Sequence, residues 1–209
     1  MKKTLALALL SLALHHGAAE AQRTDWTTLG ETPPMGRRME TPPDSRARKR
    51  ADRATRAKAD SLRAAVAGAT VATARDVNGL LAIRLTFSDA GLPAEPNVTG
   101  YNAATRRAVE AIVSHLGGAW AKADIGVDGH TDNVGPYDEN MAISLKRALA
   151  IGGLMGRQGA DTARILTRGL SYDYPIADNH LIDGREKNRR VEVTLSVSAE
   201  MLAEMATGQ

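Results

Sequence analysis

Asp132 and Arg147 are the two residues whose types and spacing could do chemistry together. A carboxylate can receive an ammonium, and a planar guanidinium can take a carboxylate through two parallel hydrogen bonds, so the pair suits a small zwitterion. Counted from Asn140 at ~100° per residue, Ser144, Ala148, Ile151 and Met155 form one stripe, and Arg147 falls near −20°, on its edge. A guanidinium there is either paired inside the fold or aimed at a ligand, because an unpaired charge against apolar surface is costly. Helical side chains lean toward the helix N-terminus, so its head points back to the turn where Asp132 ends a strand. Arg147 lies about nine residues into that helix, roughly 14 Å, and the lean shortens this to a gap about the size of a small zwitterion. The same spacing also permits a plain salt bridge between the two.

The elements that must position them are legible from about Ala69. Thr70 to Arg75, the turn-like Asp76-Val77-Asn78-Gly79 and Leu80 to Phe87 read as a hairpin, with Leu81, Ile83, Leu85 and Phe87 on one face. Asn102 precedes a helical pattern through Val109, Ile112, Val113 and Leu116, closed by Gly117-Gly118. A strand is expected from Ala123 to about Asp132, a turn over 133–136, and a helix from about Tyr137 to Arg157 with Asp138 and Glu139 in its first turn. Arg164 to Leu170 and Asn188 to Val197 read as further strands, the last alternating Val191, Val193, Leu195 and Val197 with Arg190, Glu192, Thr194 and Ser196. One-sided strands predict a two-layer α+β domain, a mixed sheet with helices packed on one face, preceded by the hairpin.

Composition narrows the function. The 209 residues suffice for one domain with appendages. Cysteine is absent, which removes thiolate nucleophiles, Cys-ligated zinc and an N-terminal cysteine for a lipid. With 3% aromatic residues, a stacking platform for nucleic acid is not expected. Lys2-Lys3, the apolar run Thr4 to Leu14 and Ala19-Glu20-Ala21 read as a cleavable secretory signal over 1–21, the run being too short to span a bilayer. The mature protein is therefore expected in the periplasm or cell envelope, with no membrane span.

Charge is unevenly spread. Residues 22–68 carry 11 Lys and Arg against 6 Asp and Glu, and residues 69–209 carry 14 against 17. The chain then divides into a Pro-rich extended linker at 22–43, a basic helix or arm at 44–68, the folded domain at 69–199 and a tail at 200–209. The arm's apolar stripe, mostly alanine, reads as too thin to make a core, so a solvated lead-in helix is expected. Its cations, Arg46, Arg48, Lys49, Arg50, Arg53, Arg56 and Lys58, could alternatively bind a polyanion.

A resemblance adds to this reading. Gly129-His130-Thr131-Asp132, Gly135, Asn140, Ile143-Ser144, Arg147-Ala148, Ile151 and Gly159 closely resemble the motif of OmpA-like peptidoglycan-binding domains, also found in MotB-type stator proteins. Gly169, Pro175 to Asn179, Gly184-Arg185 and Asn188 to Glu192 resemble that family's later segments, so the likeness runs from about Leu80 to Val197. It implies noncovalent binding of peptidoglycan through the diaminopimelate of its stem peptide, without catalysis, cofactor or metal. Carried over, the ligand-binding charges fall on Asp132 and Arg147, with Thr131, Asn140 and backbone around Val134 as further contacts and Arg185 and Arg189 as secondary ones. Three departures stand out: Leu92 to Asn97 where the family has a Phe- and Ser-containing entry, Ser171 in place of a frequent glycine, and Gly152-Gly153 inside the binding helix.

Two rivals have different signatures. An enzyme would use His130 with Asp128 or Asp132 as a metal site or an acid and base pair, but no third ligand stands at useful spacing. An adaptor would instead engage a polyanion or an envelope protein through the basic arm.

Overall fold

A computed structural model describes residues 36–88 and 101–207. The expected signal, the linker up to residue 35 and the Leu92 to Asn97 departure lie outside the described residues. Five helices and five strands follow in chain order: α1 Ser45–Ala65, β1 Thr70–Arg75, β2 Leu81–Ser88, α2 Ala103–Ser114, β3 Asp124–Gly129, α3 Tyr137–Arg157, β4 Ile165–Gly169, α4 Ile182–Asn188, β5 Arg190–Ser196 and α5 Ala199–Thr207. The strands form one mixed sheet in the order β1-β2-β5-β3-β4, antiparallel except for the parallel β3–β4 pair. The hairpin is thus one wing of the sheet. β5, the last strand made, sits at its centre.

Alternation decides which face is apolar. In register, Phe87, Leu85 and Ile83 of β2 oppose Val191, Val193 and Leu195 of β5, and Val127 and Ile125 of β3 oppose Val193 and Leu195. These fully or nearly fully buried side chains meet Ala148, Ile151 and Met155 of α3 and Val109 and Ile112 of α2 in one core. At ~25 cal/mol per Å², each fully buried Leu, Ile or Phe contributes about 1.5 to 3 kcal/mol, so this face is the main source of stability.

Three expectations change. The arm is not a solvated lead-in: α1 seats Ala51, Thr55, Ala59 and Leu62 in the fold and packs on β1 and β2. Alanine allows the close approach, and buried Asp52 supplies the bolt by accepting the Leu81 amide (2.8 Å) and Arg75 Nη1 (2.8 Å). The described part of the linker is docked as well. Met39 is buried, its amide donates to Asn78 Oδ1 (2.9 Å), and Asn78 Nδ2 donates to the Arg37 carbonyl (2.9 Å). The expected tail begins as α5, which buries Met201 and starts where Ser198 Oγ accepts the Met201 amide (3.1 Å).

Boundaries shift at the functional end. β3 stops at Gly129, so residues 130–132 leave the sheet, and the strand expected from Asn188 begins at Arg190, Asn188 being the last residue of α4. Close packing explains two glycines. A Cβ at Gly129 would strike the Ser144 carbonyl, and one at Gly169 would come within 2.7 Å of the Leu145 amide nitrogen. α3 therefore rests its Ser144–Leu145 turn directly on both strand ends. Gly152 is accounted for similarly, since a Cβ there would lie 3.1 Å from Thr167 Cγ2 of β4.

The opposite sheet face is polar, and it is covered at its centre although Ala72 and Leu166 toward its edges are exposed. Every residue of β5 is buried, including Arg190 and Glu192. Arg190 Nε donates to Glu192 Oε1 (2.7 Å), Arg84 lies 3.4 Å from Glu192 Oε2, and Arg168 binds Asp128 through two hydrogen bonds (2.7 and 2.8 Å). Burial pushes the Asp128 carboxyl up against the opposing pull of Arg168. Burial also drives the His130 imidazole well below its usual range, helped by the charges of Arg190, Arg84 and Arg168.

Two outcomes follow from this packing. Gly129→Ala should cost about 1 to 3 kcal/mol by overpacking, read as a lower urea midpoint at an unchanged slope; an unchanged midpoint would contradict the close approach. Because native His130 stays neutral while its unfolded counterpart protonates below about pH 6.5, the unfolded state binds more protons there and stability falls with acid. Between about pH 6.5 and 5 this term approaches a loss of about 1.4 kcal/mol per unit, and urea titrations of His130→Gln should show a shallower fall.

Candidate ligand site at the end of strand β3

The site is built by two strand exits and one helix start. After Gly129 the chain is held by main-chain bonds on both sides: the His130 amide donates to the Arg190 carbonyl (2.9 Å), the Thr131 amide to the Ser171 carbonyl (2.8 Å), and the Leu170 amide to the Gly129 carbonyl (3.0 Å). Ser171 has φ +46°, a left-handed conformation that glycine adopts more cheaply. Its amide donates to Ser144 Oγ (3.1 Å), and that hydroxyl in turn donates to the Met141 carbonyl (2.9 Å). One serine on α3 therefore anchors the β4 exit to the helix.

Arg147 is 6% exposed and its Nη1 donates to the His130 carbonyl (3.4 Å), two residues before Asp132. The helix thus carries a mid-helix cation to the strand end. Tyr101, just before α2, donates its hydroxyl to the Arg147 carbonyl (3.2 Å), and burial pushes that phenol up, beyond the usual range.

Asp132 is 7% exposed. Its Oδ2 accepts Arg189 Nη1 (2.6 Å) and its Oδ1 accepts the Val134 amide (3.0 Å). Spacing left open a salt bridge to Arg147; the ion pair seen at this carboxylate is with Arg189. Each carboxylate oxygen still has a second lone pair, so an incoming ammonium can be accepted beside the existing donors.

The remaining candidates divide. Asn140 is buried and spends its amide on the turn before α3, donating to the carbonyls of Val134 (2.9 Å) and Pro136 (3.2 Å). It shapes the loop that carries Asp132. Both main-chain groups of Val134 are engaged, one by Asp132 and one by Asn140, while its side chain is 64% exposed. Thr131 is buried beside Asp132, and its Oγ1 has no hydrogen-bond partner among the described residues. Arg185 donates to the carbonyls of Asn179 (3.0 Å) and His180 (3.3 Å), a tie within its own loop.

Sequence reasoning missed the residues that hold this wall. Asn188 is fully buried and uses both ends of its amide: Oδ1 accepts the Ile176 (2.8 Å) and Ala177 (3.0 Å) amides, and Nδ2 donates to the Ala177 carbonyl (2.8 Å) and Asn179 Oδ1 (2.9 Å). An asparagine at the start of an expected strand gave no such signal. His130 and Asp128 do not form an open acid and base pair, since His130 is fully buried and Asp128 is held by Arg168. Among the described residues no group of three or more His, Asp or Glu could hold a metal ion, and no helix is long and apolar enough to cross a membrane.

Comparison with known proteins agrees with this architecture. The chain is 43% identical over 77 residues to the protein named "Probable lipoprotein YiaD" of Escherichia coli, a match covering 37% of this chain and 35% of that one. It is 36% identical over 74 residues to the peptidoglycan-binding protein ArfA of Mycobacterium bovis, covering 35% and 23%. The matched stretch thus spans about a third or less of these relatives. Among solved structures, a protein from Desulfovibrio vulgaris described as MotB-like superposes with TM-score 0.59 at 22% identity, over 73% of this chain and 96% of that one. The cell wall anchor of the T6SS from Pseudomonas aeruginosa superposes with TM-score 0.53 at 26% identity, over 71% and 99%. The OmpA family model matches residues 95–189, which takes in α2, β3, α3, β4, α4 and all the candidate ligand residues, Thr131, Asp132, Val134, Asn140, Arg147, Arg185 and Arg189. Residues 95–189 of this chain are an OmpA family domain.

Proposed function

We propose that this chain binds peptidoglycan noncovalently, as a component of the cell envelope, and that the diaminopimelate of the stem peptide is held between Asp132 and Arg147. The observation that carries the reading is the Arg147 guanidinium reaching the His130 carbonyl, next to a buried Asp132 on the same exit from β3. The side-chain end of diaminopimelate bears one ammonium and one carboxylate. Its ammonium meets Asp132, and its carboxylate meets the fork of Arg147.

Electrostatics favours this ligand over a simple amine. Asp132 offers a carboxylate and Arg147 a guanidinium, so a ligand bringing a carboxylate as well as an ammonium meets both, whereas one bringing an ammonium alone meets only Asp132. At ~4 Å an ion pair is worth about 1 kcal/mol in water and about 4 at an effective dielectric of 20, so the near-complete burial of both residues is what makes the pair selective. ArfA, named for peptidoglycan binding, and the T6SS cell wall anchor support the ligand class.

A pull-down with purified sacculi tests this. Asp132→Ala and Arg147→Ala should each reduce retention about 10- to 100-fold, the range of a lost charge-assisted hydrogen bond, with circular dichroism unchanged. Equal retention of the three proteins would refute the site, and release of soluble wall fragments would point to an enzyme. Free diaminopimelate should displace the wild type from sacculi, whereas cadaverine, which carries two ammonium groups and no carboxylate, should not; equal competition by cadaverine would remove Arg147 from the site.

A further inference from the structure

The solvent face of α1 carries a second surface that the ligand site does not use. α1 holds eight Lys and Arg (Arg46, Arg48, Lys49, Arg50, Arg53, Arg56, Lys58 and Arg63) against Asp52 and Asp60. The structure sorts them. Arg48 donates to the Gly79 carbonyl, Arg50 to the Met205 carbonyl, Lys58 to the His115 carbonyl, and Arg63 pairs with Asp60. Arg46, Lys49, Arg53 and Arg56 are exposed, and among the described residues none of them makes an ion pair or a hydrogen bond.

Those four cations lie within roughly 80° of one another around the helix and span about 15 Å along it. The core-facing residues Ala51, Thr55, Ala59 and Leu62 occupy the opposite side. Along the stripe no carboxylate intervenes before Asp60, because Asp52 points inward to Arg75 and Leu81. The tie through Asp52 and the buried alanine face make this a fixed ridge of the domain.

We infer that this ridge adsorbs to an anionic phospholipid bilayer surface through Arg46, Lys49, Arg53 and Arg56. Charge complementarity selects the occupant. The ridge offers four unpaired cations, no aromatic side chain to stack a base and no buried fork to read a single anion, so it responds to charge density over a plane. The apolar side of α1 is consumed by the core, so contact is electrostatic, without insertion. Strand order places the two surfaces apart: α1 packs on β1 and β2, whereas the Asp132 site belongs to β3 and α3, with β5 between. Wall and membrane can be engaged at once, and neither contact depends on the other.

Sedimentation of the full chain with vesicles tests the inference. One set contains about 30 mol% phosphatidylglycerol in phosphatidylcholine, the other phosphatidylcholine alone, with about 50 mM or about 500 mM salt. The apolar Thr4 to Leu14 run is common to every protein compared, so the readout is the anionic-to-neutral binding ratio. The wild type should prefer anionic vesicles and lose that preference at high salt. The triple variant Lys49→Gln, Arg53→Gln, Arg56→Gln should lose about fivefold in the ratio for each cation removed, with unchanged circular dichroism and unchanged retention on sacculi. No anionic preference in the wild type, the same preference in the variant, or capture by soluble polyphosphate without capture by vesicles would each overturn it. Loss of sacculus binding in Asp132→Ala, by contrast, leaves the vesicle ratio untouched.

Discussion

The contact on which this molecule depends is the meeting of one helical turn with two side-chain-free strand ends. Ser144 and Leu145 of α3 sit on Gly129 and Gly169 so closely that no Cβ fits between them. That approach sets the height of α3 above the sheet, and the height sets where Arg147 arrives. A helix standing off by a further methyl radius would carry the guanidinium out of reach of the His130 carbonyl. Ser144 serves twice, since the same turn binds the Ser171 amide and so fixes the strained exit of β4. Backbone proximity, rather than a network of side chains, is the frame of the site.

Charge has been placed around that frame in two regimes. On one sheet face, ions are buried and matched: Arg190 with Glu192, Arg168 with Asp128, and a histidine kept neutral among arginines. Such an arrangement contributes little net stability, because desolvation offsets attraction, but removing one partner leaves a buried charge unmatched. It specifies register. A slip of one residue in β5 would exchange Arg190 and Glu192 for valines on the apolar side. At the end of β3 the ions lie beside a main-chain exit instead, with Arg189 on Asp132 and Arg147 on the His130 carbonyl.

Much of this was legible in the residue pattern, and the reasons for the remainder are specific. The alternation in β2 and β5 and the 3.6-residue stripe of α3 are strong periodic signals, and they led to the right sheet faces and helix limits. Arg147 stood out because a charge at the margin of an apolar stripe is costly unless it is paired or aimed at a ligand. α1 was misread because alanine contributes little to hydrophobic patterning while allowing closer approach than any larger residue. α4 was passed over as irregular, and its last residue taken as the start of a strand, because Asn188 looks like a strand-flanking polar residue, whereas its four hydrogen bonds are spent on a loop nine to twelve residues away in sequence. Ring and carbonyl partners such as Tyr101 and Arg147 are separated by 46 positions, a distance over which periodicity carries no information.

The placement of β5 has a bearing on how the chain reaches this state. The strand that joins the β1–β2 wing to the β3–β4 wing is encoded at positions 190–196, near the C-terminal end. Until it emerges, β2 and β3 each present an unsatisfied inner edge, and a hairpin on one side and a parallel strand–helix–strand unit on the other must wait without a common centre. Assembly is therefore a late zipping event dominated by distant pairings, slow compared with helix formation, and a nascent or truncated polypeptide ending before Ser196 exposes sticky strand borders that invite association with other chains.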